Sequence, residues 1–259
     1  MNRYLLLVAA PLVFTAAACG TLDRTQPLPD KVPPPAPAAS AAFVAGNDAM
    51  DDQSWKVAIR HYDDAIDANP QLADAWRNRG IAHIQARRFD LALVDFAEAI
   101  ELGADDAGTY YNLGNVYAAM AMWDNAVDCY LKSLDKDRDQ AGTLNNLGNA
   151  YASDGRFAEA EAIFREFNDR YPDRSEGFNN LGTMLEMQKR PAEAAAAYER
   201  ALAIAPDHPD AHFNLGLLRV RQGRKAEGVA LLRRFVALSP PESIEARKIQ
   251  SRISSLQRH

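Results

Sequence analysis

"TLNNLGNAYASDGRFAEAEAIF", residues 143 to 164, decides the fold. In it Gly148 is followed by Ala160 twelve residues on and by Phe164 four residues further. The same spacing recurs along the chain. Gly stands at 46, 80, 114, 148, 182 and 216, always 34 apart. Twelve residues after each comes a small residue: Ala58, Ala92, Ala126, Ala160, Ala194 and then Gly228. Four further on comes a large apolar residue: Tyr62, Phe96, Tyr130, Phe164, Tyr198 and then Leu232. Pro closes four of the units, at 70, 172, 206 and 240. A fixed period of this length marks stacked units, none of which can bury its apolar face alone.

The period and the Leu-Gly, Ala, aromatic and Pro positions resemble the tetratricopeptide repeat (TPR). The resemblance covers 39–240. It implies an all-α TPR α-solenoid: six helix-turn-helix repeats in a right-handed superhelix, with a C-terminal capping helix. With Gly as position 8, the repeats run 39–72, 73–106, 107–140, 141–174, 175–208 and 209–240. Gly at position 8 and Ala at position 20 let helices A and B approach closely. Trp76, Phe178, Leu113, Leu181, Tyr117 and Tyr151 fill the space around that contact. The aromatics at position 17 (Trp55, Phe89, Trp123 and Phe157) read as loop packing. After Pro240-Pro241, Ile249, Ile253 and Leu256 form one apolar stripe on a polar helix, as a solvating cap would.

The N-terminus "MNRYLLLVAAPLVFTAAACG" has a cation, an apolar run and small residues before a Cys, the pattern of a secretory signal. Ala16-Ala17-Ala18-Cys19 resembles the box of bacterial lipoproteins. That resemblance implies cleavage of 1–18 and a covalent lipid on Cys19. With Gly20 rather than Asp next, it implies an outer-membrane anchor facing the periplasm of a Gram-negative cell. If Cys19 carries lipid, Cys129 has no partner within the chain and reads as a small buried residue. Residues 19–38 then form a tether. Between 20 and 40 there are six prolines and no hydrophobic period, so the segment is prone to an extended polyproline conformation.

Composition excludes several function classes. The apolar share is 47%, ample for a core, and the net charge is −6, with no clustered basic surface for nucleic acid. No phosphate loop, dinucleotide glycine pattern, HExxH or G-x-S-x-G occurs. His208 and His212 stand four apart with Pro209 between them, and read as a loop residue and a packing substitute rather than metal ligands. Neither an enzyme, nor a small-molecule substrate, nor any cofactor beyond the lipid is expected.

The informative residue is Asn. Asn is a poor helix former, yet it recurs at position 6 as Asn78, Asn112, Asn146, Asn180 and Asn214. At about 100° per residue, position 6 points away from the stripe that meets helix B. It shares the outer face with Asn115, Asn145, Asn149, Asn179, Arg77, Tyr111 and Phe213. In TPR proteins this face lines the concave groove. An amide both donates and accepts, so such a ladder suits the backbone of an extended peptide. The other reading is that the amides bond neighbouring repeats and hold superhelical pitch. The additional Asn at positions 5 and 9 favours the groove.

A lipid anchor, a Pro-rich tether, six TPRs and a cap together resemble the type IV pilus pilotins of the PilF, PilW and Tgl kind. That resemblance implies a protein partner, the outer-membrane secretin, whose subunits the pilotin binds and helps to assemble. The alternatives are an adaptor for periplasmic cell-wall hydrolases or proteases, as in NlpI-like lipoproteins, and a factor in outer-membrane protein assembly.

Overall fold

The structure, a computed structural model, describes residues 37–256. Among the described residues there are thirteen α-helices and no strand. The signal segment, Cys19 and most of the tether lie outside them. The chain divides into two compact units, one ending at Met120 and one beginning at Ala121. The first holds α1 (Pro37–Asp51), α2 (Trp55–Ala68), α3 (Ala73–Gln85), α4 (Phe89–Glu101) and α5 (Ala107–Ala119). The second holds α6 (Trp123–Lys136), α7 (Ala141–Ser153), α8 (Phe157–Arg170), α9 (Ser175–Met187), α10 (Pro191–Ile204), α11 (Pro209–Arg221), α12 (Lys225–Leu238) and α13 (Ile244–Leu256). The chain is an all-α solenoid of helix pairs.

Two local details differ from the sequence reading. Helix α1 starts at Pro37, so the last two residues assigned to the tether are helical. Proline suits a first helical turn, where its missing N–H would have no partner anyway. Trp55, Phe89, Trp123 and Phe157 each open a helix B instead of lying in the turn before it.

The turn from helix A to helix B has one recurring geometry. Position 15 takes a left-handed backbone in every repeat: Gln53, Arg87, Ala121, Gly155, Lys189 and Gly223, with φ between 55° and 79°. Around Arg87, its N–H reaches Ile84 O at 2.9 Å and the next N–H, of Arg88, reaches His83 O at 2.8 Å. These are the paired bonds of a Schellman motif, which satisfy the last carbonyls of helix A. The same pair of bonds closes α1, α7, α9 and α11.

Close approach fixes position 8. A Cβ added at Gly148 would lie 2.6 Å from Phe164 Cζ, well inside contact distance. Ala160 and Phe164 are fully buried there. A second tight place was not expected. In most repeats position 27 is small, but repeat 4 has Phe167, followed by Asn168. Gly177, at position 3 of the next repeat, makes the room: a Cβ there would be 2.3 Å from both side chains.

Position 4 ties successive repeats together. The Trp76 indole N–H donates to Pro70 O at 2.9 Å. In the last repeat His212 Nε2 lies 2.8 Å from Pro206 O, the equivalent carbonyl. His212 thus stands in for the Trp in packing and in bonding. His208 Nδ1 accepts from Ala211 N–H at 3.4 Å and caps α11. In the second unit, Ile249 and Ile253 of α13 bury against Val229, Leu232 and Phe235 of α12. Phe213 packs there too, with its ring centroid 5.0 Å from that of Phe235.

Candidate protein-binding face

In the first unit Asn78 Nδ2 donates to Asn47 Oδ1 at 3.0 Å, and the Tyr62 hydroxyl donates to the same oxygen at 2.8 Å. Position 6 of one repeat therefore meets position 9 of the repeat before it, through the position-24 tyrosine. Burial pushes the Tyr62 hydroxyl up to about 12. It acts as a hydrogen-bond donor, not as an acid, at any ordinary pH. The sequence repeats the same three residues as Asn115, Tyr130 and Asn146. In repeat 5, Tyr198 bonds Thr183 at position 9 and Glu186. Asn47 and Thr183 were missed in the sequence, although the signal was present. A buried tyrosine at position 24 needs a polar residue at position 9 to receive its hydroxyl.

In the second unit four amides form a directed chain across three A helices. Asn214 Nδ2 donates to Asn179 Oδ1 at 3.1 Å, Asn179 to Asn180 at 3.5 Å, and Asn180 to Asn145 at 3.0 Å. Asn179 is buried, and Asn145, Asn180 and Asn214 are half-buried. Each inner amide donates once and accepts once, which leaves one N–H and one lone-pair site unused.

The expected groove set therefore divides. Asn78, Asn145, Asn179, Asn180 and Asn214 bond between or beside repeats. Arg77 is an ion-pair partner of Asp74 at 2.8 Å and of Asp106 at 3.0 Å. Asp106 also caps α5 by accepting from Thr109 N–H. Phe213 belongs to the C-terminal core. Asn149 is exposed on α7, and Tyr111, Asn112, Asn115 and Asn146 are half-buried. The inter-repeat bonds have a simple cause: in a stacked array, position 6 of one helix A lies beside the preceding helix A. Residual amide valences keep a peptide-binding role chemically open on the same face.

A polar cluster in the first unit was not anticipated. Position 7, Leu in repeats 3 to 6, is Arg79 in repeat 2, and position 11 is His83. Arg79 holds Asp95 by two bonds, 3.0 and 2.7 Å, and Asp63 by one, 2.6 Å. Its guanidinium lies 4.6 Å from the Trp76 ring. Burial opposes the Arg79 charge, and the bonds from Asp95 and Asp63 more than restore it. Burial likewise pushes Asp95 up, against the Arg79 bonds. His83 Nε2 is 3.7 Å from Asp95, and its Nδ1 is buried with no partner among the described residues. No group of three or more His, Cys, Asp or Glu among the described residues is placed to hold a metal.

Cys129 is fully buried in α6.

No curated protein matches the chain by sequence. Among solved structures, PilW, described as a widely conserved type IV pilus biogenesis factor, is similar at TM-score 0.69 and 17% identity, over 83% of this chain and 99% of that one. PilF of Pseudomonas aeruginosa is similar at TM-score 0.61 and 23% identity, over 72% of this chain and 84% of that one. The C-terminal part of a TPR protein from Cytophaga hutchinsonii reaches TM-score 0.71 at 12% identity, over 82% of this chain and 84% of that one. At these identities the likeness speaks for the fold alone, and 422 solved chains share it. Models of the tetratricopeptide repeat match residues 43–107, 105–173, 147–209 and 182–254. The chain belongs to the tetratricopeptide repeat family.

Proposed function

We propose that this protein is a pilotin: an outer-membrane lipoprotein, anchored through Cys19 and facing the periplasm, that binds secretin subunits and promotes their assembly for type IV pili. One observation carries the reading. A lipoprotein-like Ala-Ala-Ala-Cys box precedes a TPR array that spans nearly the whole PilW fold. The Pro-rich segment between them gives a reach of roughly 60 Å at about 3.1 Å per residue. TPR proteins act by binding other proteins.

The test has two parts. Mass spectrometry of the mature N-terminal peptide reads the anchor. A thioether lipid on Cys19 and a disulfide from Cys19 to Cys129 exclude one another. The expected result is a lipidated Cys19. An unlipidated Cys19 bonded to Cys129 would contradict the anchor. Affinity purification of the anchored protein from membranes reads the partner. Secretin is expected among the captured proteins. Recovery of cell-wall hydrolases without secretin would favour the adaptor reading.

A further inference from the structure

Among the described residues, α1 has no helix before it and α13 has none after it. Their exposed faces match. The two most exposed large hydrophobic residues described are Ile244, at 65%, and Val44, at 55%. Each starts a row of residues four apart. From Val44 the row continues to Asp48 and Asp52, and from Ile244 to Lys248 and Arg252. Four residues rise about 6 Å in both helices, so the rows have equal spacing and opposite charge. Asp52 closes the last turn of α1, its N–H reaching Asp48 O at 3.1 Å. All six side chains are exposed, and none of the four charges has an ion-pair partner among the described residues.

Two further facts bear on this face of α1. At position 3 the later repeats bury their residue against the preceding repeat, with Ala75 and Ala211 fully buried. Ala41, at the same position of repeat 1, is exposed. Asp48, Asp51 and Asp52 also crowd the C-terminal end of α1, where the helix dipole disfavours negative charge. Local helix physics gives them nothing; a facing row of cations would.

We infer that the α1 face docks on the α13 face of a second copy of this chain, with Val44 on Ile244, Asp48 on Lys248 and Asp52 on Arg252. The contact is heterologous, joining two different faces, and so leaves one face of each kind free for a further copy. Exposed ion pairs contribute little each, so the association is weak in dilute solution and stronger where chains are concentrated.

The test is charge exchange. The full chain, purified from membranes in detergent, is followed by sedimentation velocity across a hundredfold concentration range, in low and in high salt. The native chain should associate with rising concentration, and less so at high salt. D48K alone and K248D alone should each weaken association about fivefold or more. An equimolar mixture of the two should recover it, because every contact between unlike copies again joins opposite charges. A native chain that stays monomeric at every concentration would overturn the inference. So would association untouched by either variant, or a mixture no better than its components. Unchanged melting curves for both variants exclude misfolding as the cause of a loss.

Discussion

Asn47 shows how a single side chain can hold two repeats. Its one oxygen receives the Tyr62 hydroxyl and the Asn78 amide. Asn47→Ala leaves a buried hydroxyl without its acceptor and should cost about 1–3 kcal/mol in chemical denaturation. Asn149→Ala, on an exposed amide, should change stability by less than about 0.5 kcal/mol. Equal effects would remove the inter-repeat account of the Asn positions. Lys189 is a different case, a non-glycine residue at φ 61° in the turn between α9 and α10. Its backbone carries the cost of a left-handed conformation, which glycine avoids. Lys189→Gly should raise stability by about 0.5–1 kcal/mol, read as a higher melting temperature. The sequence showed that position 6 faces away from helix B. It could not show what that face meets, because the neighbour is 34 residues away and the choice between solvent and the preceding helix depends on how repeats stack.

At the scale of elements, Gly at position 8, a small residue at position 20 and a large apolar residue at position 24 were enough to place the helix pairs, since each letter answers a close contact. The α3–α4 pair keeps those letters and differs beside them. Arg79 and His83 occupy positions that are mostly apolar elsewhere, and Asp95 on α4 compensates them. The substitution was visible in the register, but its partner was not, because Asp95 could equally have faced solvent. The cluster has a pH consequence. Burial lowers the His83 pKa; Asp95 and Asp63 oppose the shift, while Arg79 and Arg88 add to it. The folded state therefore binds the His83 proton more weakly than the unfolded chain does. Its contribution to stability is complete above the unfolded value of about 6.5 and falls as pH drops below it. His83→Phe, which keeps an aromatic at position 11, should flatten the loss of melting temperature between about pH 7 and 5. An identical slope in both proteins would show that His83 does not titrate across unfolding. Asp95→Ala, which strips Arg79 of its two-bond partner, should cost about 3 kcal/mol.

At the scale of the molecule, family membership follows from the repeat, and the partner follows only from architecture. A TPR fold serves many partners, so the proposed anchor and tether carry the proposal of secretin. The Cys box and most of the tether lie outside the described residues, so the all-α solenoid was legible in the sequence and the function only as far as protein binding. The most direct measurement is the ratio of secretin multimers to monomers in outer membranes, by immunoblot without boiling, with the gene deleted and then restored. Multimers should fall sharply on deletion, with monomers accumulating, and return with the native chain but not with Cys19→Ala. Multimers unchanged by deletion would contradict the account.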